Sequence, residues 1–456
     1  MSVISKIVVD TICISKSNNS YTMLSAGDDL PISRLMTEIS MYIFFWVFIA
    51  NEQAECHDTP WILSQVCQRW RGIALSYPKL WSWIDIEEPW TFNFSGCVHQ
   101  LEVSLLRSQS YPLRIKYYES GDLNAHLWDV LLDHCDHWHI VGVYCSTTDF
   151  TCRLPKPQRH PLPLLEQFHL SRSFLDPFGT DFELDEDVLD VLTTAPRLHD
   201  IHVTGFRSPS SLNLPWFQLT KLDLKCGSAE NDISILRKAP NLQQLFLTHH
   251  MYNLSLPAPI VHTSLHELHA PHAYALSHFT FPALKRLWIP ITVGSTASPT
   301  PIIHKFIVRS QCTLQNLDLG GIDMDQSLIN LLKDTPTVEV LNLYFGHLTL
   351  NAFETFSKSL TYPDADKPIS DVLLPHLENL YMDIHFDLPM THAFTAMVRS
   401  RWYVDQKRAT RLRGLFCAAF TEASSDDVEL LTQIIEEGLE SCIVVSGRAV
   451  IWNHDL

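Results

Sequence analysis

Charge is scarce in this chain. Of 456 residues only 18% are Asp, Glu, Lys or Arg and 46% are hydrophobic, where an average soluble protein carries about 25% charged residues. That balance excludes an intrinsically disordered chain, which needs low hydrophobicity and high net charge. Positive charge is scarcer still, with 33 Lys and Arg against 51 Asp and Glu and a formal net charge of −18. Grip on phosphate backbones or anionic lipid comes from clustered basic side chains, so neither nucleic acid nor membrane is an expected partner. Glycine is limited to 15 residues, and no GxGxxG, GxxxxGK or GxSxG occurs, which removes the sequence support for dinucleotide, P-loop and nucleophile-elbow chemistry. The eleven cysteines are odd in number, scattered and free of any CxxC. They are expected to be reduced thiols of the cytosol or nucleus. The strongest apolar run, Ile39 to Ala50 (ISMYIFFWVFIA), is twelve residues long, and a spanning helix needs about 20. Residues 1–27 read as a poorly packed leader, because Asp10 interrupts the run after Lys6 and no small-residue cleavage site follows in register.

What the chain has instead is repetition. Pro, any residue, Leu or Val, two residues, apolar, one residue, apolar recurs at Pro163 (PLLEQFHL), Pro196 (PRLHDIHV), Pro240 (PNLQQLFL), Pro282 (PALKRLWI), Pro336 (PTVEVLNL) and Pro375 (PHLENLYM). Copies without the proline begin at Leu219, Leu265, Leu314 and Leu412, so that successive copies, counted from the pattern's first Leu or Val, lie 19 to 39 residues apart. L-x-x-L-x-L sets one apolar turn residue and two alternating strand residues on one side, where they stack on the same positions of the next copy. Between the strands, Asp185 to Leu192, Asp232 to Leu236, Gln326 to Leu332 and Thr391 to Trp402 carry helical spacing. The alternation predicts an irregular α/β solenoid with a parallel sheet on its concave side, over residues 89–423. A doubly wound sheet, the competing arrangement, calls for glycine-rich phosphate turns. Ser424 to Leu439 (SSDDVELLTQIIEEGL) predicts a closing helix and Ile443 to Trp452 a last strand, a cap over 424–456.

Alternation along the strands turns the residue between the two strand leucines away from the core. In order these are His169, His202, Asp223, Phe246, His269, Trp288, Asp318, Asn342 and Tyr381. They are the candidate contacts for a protein partner, with Phe246, Trp288 and Tyr381 as rigid aromatic anchors unless loops or the C-terminal tail cover them.

In front of the repeats, Trp61 to Tyr77 reads as one helix, with Trp61, Leu63, Val66, Cys67, Trp70, Ile73 and Ala74 on its apolar face. Pro78 ends it, and Leu80-Trp81-x2-Ile84-x-Ile86 reads as a strand. So small a block buries a low fraction of its surface, and its aromatics require a cover, either a partner or the repeats themselves.

The repeats resemble the leucine-rich repeat family over roughly residues 100–420, without the Asn or Cys that usually follows the strand. The block DTPWILSQVCQRWRGIALSYPKLWSWIDI, with LPISRLMTEIS before it, is similar to the F-box family, in the form found with leucine-rich arrays in mushroom-forming fungi. Val66-Cys67-x2-Trp70, Arg71-x-Ile73-Ala74, Leu80-Trp81 and the leading Leu30-Pro31, Leu35 and Ile39 carry the likeness. Ser33 and Arg34 stand where an acidic residue is common. SLLRSQSYPLRIKYY (104–118), LLDHCDHWHIVGV (131–143) and MVRSRW (397–402) extend it.

The resemblance implies an F-box module over residues 28–88 that binds a Skp-type adaptor, and through it a cullin ligase, by Leu30, Pro31, Leu35, Ile39, Leu63, Val66, Cys67, Trp70, Ile73, Leu80 and Trp81. The repeats would hold an unidentified protein substrate. Such a subunit performs no chemistry and needs no metal and no cofactor. Two other readings stand beside it. One is a repeat scaffold without ligase association, the N-terminal helices serving as its cap. The other is a His-rich metal enzyme, for which the 23 His supply His134, His137 and His139, and His262, His266, His269 and His272. HELH lies one residue short of HExxH and inside a strand signature, which takes its two His off a common helical face.

Overall fold

A computed structural model describes residues 35–52, 59–86, 94–118, 122–145, 160–172, 189–204, 213–225, 229–247, 258–290, 298–362, 372–383, 388–404, 409–417, 420–445 and 448–452. The chain divides into two compact units, Met1–Gly205 with Ser211–Pro215, and Phe206–Ser210 with Trp216–Leu456. Leu30, Pro31 and the leader lie outside the described residues.

The first unit opens with α1 (Thr37–Glu52), α2 (Thr59–Val66) and α3 (Gln68–Leu75), followed by a 3-10 turn at Pro78–Trp81. Its strands are β1 (Trp83–Ile86), β2 (Leu113–Tyr118), β3 (Trp138–Cys145), β4 (Gln167–Arg172) and β5 (Asp200–Thr204), with α4 (Phe94–Ser108) and α5 (Asp122–Leu132) between. The strands pair in sequence order, all parallel. The expected boundary at residue 88 falls inside this unit, because β1 is already paired with β2.

Two expectations are corrected here. Residues 61–77 form two helices, not one: Cys67 is extended (φ −158, ψ 170), and its sulfur accepts the Trp70 N–H at 3.4 Å as the N-cap of α3. A cap side chain that satisfies an orphan N–H competes with continuing the helix. Leu80 and Trp81 belong to the 3-10 turn and not to a strand. Phe44, Phe48, Leu63, Ile73, Ala74, Leu80 and Trp81 pack into one buried cluster, and Trp81 Nε1 donates to the Ala74 carbonyl at 2.8 Å.

The second unit carries β6 (Lys221–Lys225), α6 (Ala229–Lys238), β7 (Gln244–Phe246), β8 (Ile260–Val261), β9 (Glu267–His269), β10 (Phe279–Thr280), β11 (Arg286–Ile289), α7 (Thr300–Ser310), β12 (Asn316–Asp323), α8 (Gln326–Lys333), β13 (Val340–His347), α9 (Leu350–Leu360), β14 (Asn379–Asp383), α10 (His392–Trp402), β15 (Gly414–Cys417), α11 (Ser425–Glu436), β16 (Glu440–Val445) and β17 (Arg448–Trp452). β6, β7, β9, β11, β12, β13, β14, β15 and β16 are parallel neighbours in that order, and β8 with β10 makes a separate pair.

The repeat explains this construction residue by residue. Pro240, Pro282, Pro336 and Pro375 sit second in turns closed by Leu242, Leu284, Val338 and Leu377 N–H groups onto the carbonyls three residues back, each at 3.2 Å, a place that suits the fixed φ of proline. Those closing residues are fully buried, as are Leu265, Leu314 and Leu412. The strand leucines Leu245, Leu268, Leu287, Leu317, Leu341, Leu380 and Leu415 are register partners in one buried line, each worth about 2 kcal/mol by burial. A backbone clip joins copy to copy. The carbonyls of Thr220, Gln243, His266, Lys285, Gln315, Glu339 and Glu378 each accept two successive N–H groups of the next copy, at 2.7–3.1 Å.

Helices are expected at 185–192, 232–236, 326–332, 391–402 and 424–439. The last four coincide with α6, α8, α10 and α11, whereas the described part of the first is a 3-10 turn, Asp190–Thr194. The expected single closing strand is an antiparallel hairpin, β16 with β17; its sequence signal is the Ser446-Gly447 pair between them. Thr391, a helix N-cap, precedes α10, and Ser424 caps α11. The buried Asp427 accepts from Thr395 Oγ1 at 2.5 Å and Ser424 Oγ at 2.7 Å, with His392 Nδ1 at 3.3 Å. Burial raises its pKa, but those hydrogen bonds outweigh burial and hold the carboxyl below its usual range. A carboxylate whose folded pKa is depressed adds stability above the unfolded value, ~3.9, and loses it as pH falls through the folded one. Asp427→Asn is therefore expected to lower stability at neutral pH and to flatten its decline below about pH 4, as read by urea midpoints across that range.

Candidate functional site

The outward strand positions form a register-aligned row in each unit. In the first, Asp85, Lys116, Gly142, His169 and His202 are successive partners. Lys116 Nζ lies 3.8 Å from Asp85, and the His169 and His202 rings are 5.4 Å apart. In the second, the line runs Asp223, Phe246, His269, Trp288, Asp318, Asn342, Tyr381 and Phe416. Period-two reading thus brings its nine expected residues into register within their units. It missed Asp85, Lys116, Gly142 and Phe416, which the same rule reaches when applied to β1, β2, β3 and β15.

The row is joined by stacking and hydrogen bonds. The His269 ring lies between Phe246 at 4.1 Å and Trp288 at 5.2 Å, with its Nε2 2.9 Å from Glu267 Oε1. Arg286 pairs with the other Glu267 oxygen at 2.9 Å. Asn342 Nδ2 donates to Asp318 Oδ2 at 2.9 Å. Burial pushes the Asp318 carboxyl up, opposed by the Asn342 hydrogen bond and the His269 charge. Tyr344 and Asp383, register partners one outward step further along, flank Tyr381, and the Tyr344 and Tyr381 rings are 5.4 Å apart. Trp288 is 38% exposed. Asp223 is the exception: at 6% exposure, beside the larger Phe246, it is buried and offers no contact surface.

The expected adaptor contacts divide. Leu63, Ile73, Leu80 and Trp81 are enclosed in the unit's own core, which corrects their assignment as surface contacts. Trp70 is half-buried, its ring 4.8 Å from that of Phe44. Leu35 is half-exposed and Ile39, Val66 and Cys67 are exposed, and Arg69 donates to the Leu35 carbonyl. Sequence reading missed the neighbours of Ile39: Met36, Tyr42 and Trp46 join it in an exposed stripe at steps of three and four, with Tyr42 62% and Trp46 52% exposed. The run looked uniformly apolar, so its two faces were not separable by pattern.

Among the described residues no three His, Cys, Asp or Glu side chains converge as a metal site. His262 is buried against the Ala239 carbonyl at 2.9 Å, and His139 pairs with Glu166 at 3.0 Å. Among them, too, no helix is long and apolar enough to cross a membrane.

Fold and row together define a mixed α/β protein built on parallel sheet, with helices in the connections and a half-exposed row of polar and aromatic side chains. No protein-family model matches the chain, and no curated protein matches its sequence.

Proposed function

We propose that the protein is an F-box-type substrate receptor: the N-terminal helices dock on a Skp-type adaptor of a cullin ligase, while the repeats, a degenerate leucine-rich array, hold a target protein for ubiquitin transfer by other subunits. The observation that carries this reading is the stripe of Ile39, Tyr42 and Trp46 on α1, with Met36 just before it, while Phe44 and Phe48 of the same helix fill the core. A helix that fills a core with one face and exposes a large apolar stripe on another fits a groove-binding partner. The motif residues enclosed in the core supply the rigid frame for that stripe.

Co-expression with a Skp-type adaptor is expected to yield a stable complex on size exclusion. Tyr42→Glu with Trp46→Glu, both at exposed positions, should weaken it by at least about a hundredfold while the fold persists, since aromatic anchors dominate such interfaces. Folded protein that never co-elutes would leave the scaffold reading in its place.

A further inference from the structure

We infer that the second unit's row, from Trp288 to Tyr381, binds a pair of arginine side chains on an extended segment of the target protein. This rests on reading the row as the target-binding face, and it does not depend on adaptor docking. Two aromatic and carboxylate couples stand in this stretch. Trp288 and Asp318 are register partners on β11 and β12, and Tyr344, Tyr381 and Asp383 gather on β13 and β14. Neither these five positions nor Asn342 and Phe416 in the same line is Lys or Arg. Asp318 spends one oxygen on Asn342, and its other, Oδ1, is buried and accepts no hydrogen bond. A carboxylate beside an aromatic face is the acceptor that a guanidinium's fork of N–H donors recognises.

The chemistry selects guanidinium. Its plane stacks on an aromatic face while its N–H groups reach a carboxylate, which a compact ammonium does less well. Spacing narrows the choice further. The two couples are centred two strand spacings apart, about 10 Å at ~4.8 Å per strand. A polyproline-II segment returns to one face every third residue, about 9.3 Å. Arg-x-x-Arg in that conformation therefore meets both couples at once. Anionic segments are opposed by Asp318 and Asp383, and by the chain's net charge of −18.

The test uses the full chain and a fluorescein-labelled peptide, Gly-Pro-Arg-Pro-Pro-Arg-Pro-Gly, with anisotropy read at physiological salt. Exchanging both arginines for citrulline, which keeps shape and removes charge, should weaken binding by at least about tenfold. Asp318→Asn, a change of one atom, and Trp288→Phe should each cost several-fold. Asp426→Asn, on the exposed first turn of α11, should change nothing beyond about twofold. Absence of binding to the unmodified peptide overturns the inference. So does a loss with Asp426→Asn equal to that with Asp318→Asn, which would mean diffuse charge attraction. Adaptor co-elution of Asp318→Asn separates the two readings: an intact complex with no peptide dependence on Asp318 sinks the arginine site alone.

Discussion

Arg401→Met is expected to destabilise the second unit by about 4 kcal/mol, in the range seen when buried charged partners are removed. Arg401 is fully buried, and its guanidinium donates to three carbonyls, Leu360 at 2.7 Å, Leu374 at 3.0 Å and Leu373 at 2.5 Å. Burial lowers its pKa to about 10, so it is charged at neutral pH and faces only backbone dipoles through these bonds. Leu374 is in the left-handed region at φ 52, a conformation that costs a non-glycine residue ~1 kcal/mol or more. The same side chain thus ties the end of α9 to the turn that begins the next strand. Methionine fills much of the volume but takes the guanidinium donors from all three carbonyls, of which Leu374 keeps the Leu377 N–H at 3.2 Å. Arg401→Lys should recover less than half of the loss, because a single ammonium cannot reproduce the planar fork. Urea midpoints and amide exchange of residues 372–383 read the effect. A Met variant within about 1 kcal/mol of the parent would show that water replaces the guanidinium.

The second large effect is expected at Trp81. Trp81→Ala should cost about 4 kcal/mol, typical of a large aromatic removed from a core. Its ring meets Trp61 edge-on at 5.1 Å, the Arg107 guanidinium lies 4.3 Å from its centroid, and its Nε1 holds the Ala74 carbonyl where α3 ends. Trp81→Phe keeps most of the ring and deletes the indole hydrogen bond, while the Ala74 carbonyl keeps the Tyr77 N–H at 3.4 Å, so about 1 kcal/mol is expected. The pair of variants separates framework from surface. Under the proposed docking, Trp81→Ala should lose stability and adaptor binding together, whereas changes at Tyr42 and Trp46 should lose binding alone. Retained cooperative unfolding at an unchanged midpoint in Trp81→Ala would remove Trp81 from the framework.

The strand positions were legible because stacking repeats one demand many times: Leu245, Leu268, Leu287 and their successors must all meet a like residue on each side. Alternation then told which residues face out, His169 and Trp288 among them. What escaped reading depends on partners that no spacing announces. Arg401 looks like a surface residue of a helical stretch, and its acceptors are carbonyls 27 to 41 positions earlier. Cys67 breaks a helix through a weak sulfur cap, and cysteine is not a usual cap residue. The burial of Leu63 and Leu80 follows from three helices closing on one another, which a single amphipathic face cannot convey.

The backbone clip described between copies has an evolutionary reach. Each clip uses a carbonyl and two N–H groups and consults no side chain, so this part of the link between copies survives a change of residue at the exposed positions of the outward row. Mutation along that row can explore new chemistry at little thermodynamic risk, and connections of unequal length can be spliced between clips without shifting the register of their neighbours. A protein assembled this way can change what it recognises while keeping what it is.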